Sequence, residues 1–205
     1  ENIRSKISSD IHDEIGAGLT KISLMAQRLK INFDNKKDID AGMVNKITES
    51  SKEIVGNLSQ IIWTANPQYD NLASLLAYIR NYASRFFEAT GIQCSIQFPA
   101  DVPEQHIHPD VKHNLFLVIK ESLNNIVKHA AANEVNITMQ YFDDKLIITV
   151  ADNGQGFDTE SVKANADKSG LGLRNMLNRM TLISGFITIA SEPGKGTSYL
   201  IIIPA

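Results

Sequence analysis

The spacing of apolar residues changes at Pro67, and this change divides the chain into two parts. Before it, apolar side chains recur every three or four residues, which is typical of one face of a helix. The first run contains Ile3, Ile7, Ile11, Ile15, Leu19, Ile22, Ala26, Leu29 and Phe33, and the second contains Ile47, Ile54, Leu58, Ile61 and Ala65. The polar segment 34–38 separates the two runs, and Pro67 ends the second because proline restricts the residue before it. These patterns predict a helical hairpin over residues 1–66.

The predicted hairpin cannot bury both of its apolar stripes by itself. Each helix would be roughly 40 Å long at about 1.5 Å per residue, and two helices offer each other too little surface. The simplest arrangement is a homodimer in which two hairpins form a four-helix bundle.

A different pattern follows the linker at residues 67–71, and it predicts an α+β domain over residues 72–205. We expect helices at 72–89, 109–130 and 172–184, and strands at 92–98, 134–141, 145–151, 185–191 and 197–203. Strand 134–141 alternates apolar and polar residues, so one face of its sheet should be buried. Helices on a single face of a mixed sheet would give a two-layer sandwich.

The composition excludes several classes of protein. The chain has 205 residues, of which 43% are hydrophobic and 21% charged, values typical of folded domains. We expect a soluble chain, because it contains neither an apolar run of about 20 residues nor a signal-peptide pattern. The net charge of −3 gives no general reason to expect nucleic acid as a partner. The single cysteine, Cys94, excludes an internal disulfide and a cysteine-built zinc site, which favours a reducing, cytoplasmic environment.

Three polar residues lie four positions apart on the helix predicted at 109–130. Glu121, Asn125 and His129 would line one side of it, opposite an apolar side. A carboxylate and an amide oxygen there could ligate or orient hydrated magnesium. By itself this pattern also fits a solvated helix face.

Glycine-rich segments follow at three further places. Strand 145–151 runs into Asp152-Asn-Gly-Gln-Gly156, where glycines would let backbone approach a ligand. Segment 169–173 opens the next helix, and its free N–H groups could bind phosphate. Gly194-Lys-Gly-Thr197 precedes the last strand. Each segment alone could be a tight turn.

In this order, the segments Glu121–Asn125, Asp152–Gly156, Gly170–Leu173 and Gly194–Thr197 resemble the N, G1, G2 and G3 boxes of the Bergerat (GHKL) ATPase fold. Gyrase, Hsp90, MutL and histidine kinases share this fold. The resemblance implies ATP and Mg²⁺ as cofactors. It assigns the adenine amino group to Asp152, magnesium to Asn125, the region of the γ-phosphate to Glu121, phosphate-side contacts to Lys128 and His129, and the lid over the phosphates to Gly170 and Gly172. It places Gly154, Gly156, Leu173 and Thr197 at the nucleotide as well, with Thr197 in the adenine pocket.

The first helix resembles a second element of the same family. Ser9-Asp-Ile-His12-Asp13-Glu-Ile-Gly16 looks like the phosphoacceptor box in sensor histidine kinases with a HisKA_3-type dimerisation domain. His12 would lie at the border of the apolar stripe with small neighbours, which leaves its ring open to a docking partner. A neutral imidazole is a nucleophile, and Asp13 could hold its tautomer or accept its proton.

The combined resemblance implies the catalytic core of a two-component sensor histidine kinase. Such a core autophosphorylates on histidine, here His12, and passes the phosphoryl group to an aspartate of a response regulator, one with a helix-turn-helix output domain. Because the helical pattern is already under way at Glu1, we expect a missing N-terminal sensor region, and we expect contact with a membrane only through that region. Direct contact with nucleic acid is not expected.

Three alternatives remain open at this point. The chain could be a Bergerat-type ATPase whose helices only dimerise, or a nucleotide-dependent docking module without phosphohistidine chemistry. A serine kinase of the anti-sigma type would share the ATP motifs, but it gives no reason for the histidine-bearing hairpin.

One residue departs from the subfamily pattern. Many of these kinases have a glutamine four positions after the acidic residue that follows the histidine, and this glutamine is thought to position water for dephosphorylating the regulator. Here that position is Ala17, which has no group to orient water. The sequence therefore argues against phosphatase activity by that route.

Overall fold

The computed structural model describes residues 15–35, 41–99, 101–159 and 171–204. The chain divides into two compact units, one that ends at Pro67 and one that begins at Gln68. Across the described ranges, no helix combines the length and the apolar character that crossing a bilayer requires.

The first unit contains two helices that pack against each other, α1 (Gly16–Asp34) and α2 (Ala41–Ala65). They approach closely at Gly18, where an added Cβ would lie only 2.8 Å from the Ile54 side chain. Helix α1 contains no buried residue. Large apolar side chains remain exposed on both helices: Leu19, Leu24, Ile31, Phe33, Val44, Val55, Leu58 and Ile62. Within the single chain, the hairpin therefore leaves much of its apolar surface uncovered.

The second unit is built on a five-stranded mixed sheet, and its α+β architecture confirms the predicted class. The strands are β1 (Gln93–Gln97), β2 (Glu134–Phe142), β3 (Lys145–Asp152), β4 (Phe186–Ser191) and β5 (Thr197–Pro204), in the order β1-β2-β3-β5-β4. Strands β1 and β2 are parallel, and every other neighbouring pair is antiparallel. The helices of this unit are α3 (Leu72–Glu88), α4 (Pro109–Asn125) and α5 (Leu171–Leu182).

The core lies on one face of the sheet. The register aligns Ile137 of β2, Val150 of β3 and Tyr199 of β5 in one row across the strands, and all three are buried. The alternate residues of β2 are mostly exposed, as the sequence pattern predicts. Buried apolar residues of the helices complete the core, among them Leu75 and Ile79 of α3, Leu115, Ile119 and Leu123 of α4, and Met176 and Met180 of α5.

Helix α4 ends differently from the prediction. We expected one helix over 109–130, but the α-helix ends at Asn125 and continues as a π-helical turn, Ile126–Ala130. Ala131 then reverses the chain with a positive φ of 50°. A π turn bonds residue i to i+5 rather than i+4, so His129 does not continue the regular i+4 row of Glu121 and Asn125.

An ion pair buried in the second unit anchors the start of α4. Lys112 has a fully buried side chain, and its Nζ lies 2.5 Å from Oδ1 of Asp70, whose side chain is 10% exposed. Backbone bonds join the same regions, because Ile107 N donates to Asp70 O and Leu72 N donates to Gln105 O. The segment before α3 is thereby tied to the segment that leads into α4.

Candidate functional site

A cavity of about 460 Å³ opens in the second unit where four segments meet. These segments are the end of α4 with its π turn, the loop after β3, the start of α5 and the start of β5. The lining residues are Glu121, Asn125, Ile126, Lys128, His129, Ala130, Asp152, Gly156, Phe157, Gly172, Leu173, Thr197 and Tyr199.

Strand register places two polar residues of the cavity next to each other. Asp152 is the last residue of β3, Thr197 is the first residue of β5, and the two are cross-strand partners. Both are buried, with exposures of 8% and 6%. Because partners on one face of a sheet lie side by side, a carboxylate and a hydroxyl share one end of the cavity.

The Asp152 carboxylate has one oxygen satisfied and one available. Oδ1 accepts a hydrogen bond from Gly154 N at 2.8 Å, and the backbone N–H of Thr197 also donates to this carboxylate. Oδ2 is buried and has no hydrogen-bond partner among the described residues. Burial raises the pKa of Asp152 above its ordinary value, and the two amide bonds oppose that shift. A buried acceptor without a donor is costly, so Oδ2 indicates a ligand that offers an N–H or O–H.

Two glycines allow the surrounding loops to close on Asp152. Gly156 has a φ of +60°, and an added Cβ would overlap the carbonyl of Glu192. Gly196 has a φ of +77°, and a Cβ there would overlap the carbonyl of Asp152. Both positions therefore require glycine for backbone conformation and for space.

The hydroxyl of Thr197 is oriented by Ser191, its cross-strand neighbour on β4. Ser191 Oγ accepts from Phe157 N at 2.9 Å, donates to Gly196 O at 2.9 Å and lies 3.0 Å from Thr197 Oγ1. A hydroxyl has a single proton, and Ser191 uses it on Gly196. Thr197 therefore donates to Ser191 and keeps its lone pairs for a donor in the cavity.

Gln155 connects the loop after β3 to the π turn that carries Lys128 and His129. Its backbone N–H donates to Ala130 O at 2.7 Å, and its side-chain Nε2 donates to His129 O at 2.6 Å. Its carbonyl accepts from Gly194 N at 2.6 Å. One residue thus fixes two loops and the π turn relative to one another.

At the opposite end of the cavity, α5 begins very close to α4. A Cβ added to Gly172 would overlap Oε1 of Glu121, so glycine leaves room for the carboxylate in its present position. Asn125 lies one helical turn after Glu121 and lines the same cavity. Its side chain is hydrogen-bonded to Tyr199.

The structure gathers most of the predicted site residues around this cavity. Those that line it are Glu121, Asn125, Lys128, His129, Asp152, Gly156, Gly172, Leu173 and Thr197. Gly154 does not line the cavity but packs next to it. A Cβ added there would overlap Ala130 O, and its N–H donates to Oδ1 of Asp152. His12, Asp13 and Gly170 lie outside the described residues. The chemical roles of all the predicted site residues, those that line the cavity included, stay predictions.

Four lining residues were not singled out from the sequence: Ile126, Ala130, Phe157 and Tyr199. Ile126 and Ala130 belong to the π turn, and Phe157 directly follows the Asp152–Gly156 segment. Tyr199 follows Thr197 by two residues, so alternation along β5 placed it on the same face. That alternation was the available signal.

The donor set bears on which metal the site could hold. Among the described residues, no group of three or more His, Cys, Asp or Glu side chains is arranged to bind a metal ion. A metal at this cavity would depend on an amide or carboxylate oxygen together with ligand oxygens. Magnesium bound to a nucleotide fits such a donor set.

Comparison with known proteins finds a family that resembles part of the second unit. Residues 110–205 match the family described as "Histidine kinase-, DNA gyrase B-, and HSP90-like ATPase".

Curated relatives match over the whole chain. An uncharacterized sensor-like histidine kinase of Chloroflexus aurantiacus is 24% identical over 206 residues, which cover 100% of this chain and 34% of that protein. The signal transduction histidine-protein kinase/phosphatase DegS of Bacillus subtilis is 25% identical over 206 residues, covering 100% of this chain and 53% of DegS. The chain thus spans between a third and about half of the length of these relatives.

Solved structures support the fold. The histidine kinase domain of the Erythrobacter litoralis EL346 blue-light activated histidine kinase matches with a TM-score of 0.58 and 14% identity, covering 96% of this chain and 93% of that one. Full-length ShkA, solved in complex with AMPPNP, matches with a TM-score of 0.59 and 16% identity, covering 98% of this chain and 45% of ShkA.

Proposed function

We propose that this chain is the catalytic core of a sensor histidine kinase, because residues 110–205 match the family of histidine kinase-, DNA gyrase B- and HSP90-like ATPases. In this proposal the second unit binds ATP and Mg²⁺, His12 takes the γ-phosphoryl group, and an aspartate of a response regulator receives it.

The observation that carries the proposal is that Oδ2 of Asp152, inside a 460 Å³ cavity, has no hydrogen-bond partner in the part of the chain that the structure describes. An adenine amino group supplies the N–H that this oxygen lacks. The carboxylate is held for that purpose by the amides of Gly154 and Thr197. The Thr197 hydroxyl, with its lone pairs free, is a second acceptor at the same end of the cavity.

The other end of the cavity suits phosphates. Lys128 and His129 enter from the π turn, and α5 begins beside Glu121. A helix N-terminus offers unpaired N–H groups and the positive end of the helix dipole. Gly170 and Gly172 would let the segment before α5 close over the phosphates.

Asn125 is the residue that would ligate magnesium, and Glu121 would act beside the γ-phosphate. Magnesium prefers few protein ligands together with phosphate oxygens, and this donor set provides them. When bound, Mg²⁺ neutralises phosphate charge. In phosphoryl transfer, positioning and charge neutralisation account for most of the reduction in the barrier.

The transfer step then follows from the chemistry of His12. A nitrogen of its neutral imidazole attacks the γ-phosphorus, a P–N bond forms, the bond to the bridging β–γ oxygen breaks, and ADP leaves. Asp13 holds the tautomer or accepts the imidazole proton. In the second step, an aspartate carboxylate of the regulator takes the phosphoryl group and His12 is regenerated.

We also propose that the first unit dimerises. Helix α1 has no fully buried residue within the described part of the single chain, and both helices expose large apolar side chains. A second copy that packs its hairpin against this one would cover them in a four-helix bundle. In this proposal the core works in the cytoplasm, and any contact with the membrane is made only through an N-terminal sensor region.

Incubation with Mg²⁺ and γ-labelled ATP tests the proposal. Label that is acid-labile and base-stable in the wild type and absent from His12→Gln would establish a phosphohistidine at His12. His113→Gln is the matched control and should retain the label.

Two other results would reject the phosphohistidine. Wild type that carries no acid-labile label, together with ATP hydrolysis that continues unchanged in His12→Gln, would favour an ATPase. Nucleotide binding with neither label nor hydrolysis in wild type would favour a docking module.

A further inference from the structure

Ser191 lies at the end of β4, beside the end of the cavity that holds Asp152 and Thr197. It is half-buried, and of the two neighbours Thr197 and Ser191 only Thr197 is among the described residues that line the cavity. Three groups surround the hydroxyl oxygen of Ser191: Phe157 N at 2.9 Å, Gly196 O at 2.9 Å and Thr197 Oγ1 at 3.0 Å. Ser191 therefore contacts the wall of the cavity from outside.

These three contacts use the whole hydrogen-bonding capacity of a serine hydroxyl, which has one proton and two lone pairs. The carbonyl of Gly196 can only accept, so the proton of Ser191 is directed to it. The backbone N–H of Phe157 can only donate, so it occupies one lone pair. The second lone pair remains for Thr197, whose hydroxyl is then the donor. The proton of Thr197 is thus committed to Ser191.

Thr197 consequently acts toward the cavity only as an acceptor. Its cross-strand partner Asp152 also presents an acceptor, because Oδ2 has no hydrogen-bond partner among the described residues. Two neighbouring acceptors suit an exocyclic amino group, which has two N–H bonds. A carbonyl oxygen in the same place would face two acceptors and could bond neither, and a buried polar group without a partner is costly.

We infer that Ser191 is a positioning residue that sets base specificity: it holds the proton of Thr197, keeps that hydroxyl an acceptor and so makes the site select a base with an amino group. Without the Ser191 hydroxyl, Thr197 could rotate and turn its proton into the cavity. A threonine that can donate no longer requires an N–H from the ligand. This inference rests on the proposed function, because it takes adenine as the group that Asp152 and Thr197 contact.

The test measures how much the amino group of adenine contributes to binding. Calorimetry with Mg²⁺ gives the affinities of the 205-residue chain for ATP and for purine riboside triphosphate, which lacks only that amino group. The ratio of the two affinities is compared in wild type, Ser191→Ala, Thr197→Val and the double variant. Ser198→Ala is the matched control, because Ser198 follows Thr197 on β5, alternation places it on the opposite face of the sheet, and it does not line the cavity.

We expect Ser191→Ala to lower the preference for ATP over purine riboside triphosphate by about threefold to tenfold, the range for one lost hydrogen bond. Affinity for purine riboside triphosphate should stay at the wild-type value. Ser191→Thr retains the hydroxyl and should retain the preference. In the Thr197→Val background, Ser191→Ala should change the preference no further, because the hydroxyl that it positions is gone. Ser198→Ala should match the wild type.

Two results would overturn the role of Ser191. One is an unchanged preference in Ser191→Ala while Thr197→Val lowers it. The other is an equal loss of affinity for both nucleotides, which is what a purely structural role in the loops predicts. If Thr197→Val leaves the preference unchanged, Thr197 does not contact the amino group and the inference falls, while Asp152 can still bind adenine. A wild type that shows no preference for ATP would instead show that the proposed adenine site is wrong, and the inference falls with it.

Discussion

Asp152 and Thr197 face each other across two antiparallel strands, and the backbone N–H of Thr197 donates to the Asp152 carboxylate. Because Gly196 precedes Thr197 with a positive φ, the turn before β5 lies directly against the Asp152 backbone. The acceptor end of the cavity is therefore built by strand pairing.

Asp152→Asn should weaken ATP and ADP binding by about 10-fold to 100-fold, since a hydrogen bond to a charged group is worth about 1.5–3 kcal/mol. The amide can still accept from Gly154 N, but its NH₂ group would then meet the adenine amino group, and two donors cannot bond. Calorimetry measures the affinity. Asp143→Asn is the control, because this aspartate lies in the exposed turn between β2 and β3 and should bind as the wild type does. Wild-type affinity in Asp152→Asn would remove this residue from the adenine site.

The same substitution should change how stability depends on pH when no nucleotide is present. The pKa of Asp152 is raised above its ordinary value of 3.8. A carboxyl with a raised folded-state pKa stabilises the fold fully below its unfolded-state pKa, and this contribution is lost as pH rises through the folded-state value. Asparagine does not titrate, so the stability of Asp152→Asn relative to wild type should increase from pH 4 towards neutrality. Melting temperatures across that range measure it, and a difference that is constant or shrinks with pH would contradict the raised pKa.

The order of the helices and strands and most of the cavity-lining residues could be predicted from the sequence, because the patterns that indicate them lie within short segments. Periodicity located the helices and strands, and the glycine-rich segments marked loops that approach a ligand. Asp152 and Gly156 could be selected because they stand together in one short segment.

Other features depend on partners distant in the chain. Tyr199 and Ser191 could be identified as strand residues, but their contacts with Asn125 and Thr197 exist only once β5 pairs with β3 and β4. The π turn could not be predicted, because its apolar residues fit the same 3.6-residue periodicity as an α-helix. Lys112 looks like a surface residue on the first turn of a helix, and its burial became evident only with Asp70 beside it.

Gly172→Ala should lower the rate of phosphoryl transfer without unfolding the protein. Its new Cβ would overlap Oε1 of Glu121, the mobile end of a side chain, so the carboxylate can move away. We expect stability within about 0.5 kcal/mol of wild type and a rate lower by about tenfold or more, because a displaced catalytic group loses its geometry. Single-turnover labelling measures the rate.

Gly56→Ala is the matched control for this change. Gly56 lies inside α2, and nothing lies within 4 Å of a Cβ built there. Alanine should stabilise the helix by about 0.5–1 kcal/mol and leave the rate unchanged. A wild-type rate in Gly172→Ala would show that the position of Glu121 is not critical.

Lys112→Met tests what the buried ion pair contributes to the fold that carries the cavity. The Asp70 carboxylate, which is 10% exposed, would lose the ammonium group that now lies 2.5 Å away. Removing one partner of a buried pair costs about 3–5 kcal/mol, and neutralising the other partner recovers part of it. Lys112→Met should therefore lower the melting temperature markedly, and Lys112→Met with Asp70→Asn should lower it less.

Lys195→Met is the control. It breaks an exposed pair with Glu192, in which the side chains of Lys195 and Glu192 are 73% and 66% exposed, and it should have little effect on the melting temperature. Saturating MgATP should raise the melting temperature of Lys112→Met, since a ligand that binds only the folded state stabilises it. Equal effects of Lys112→Met and Lys195→Met would show that the buried pair is no more important than a surface one.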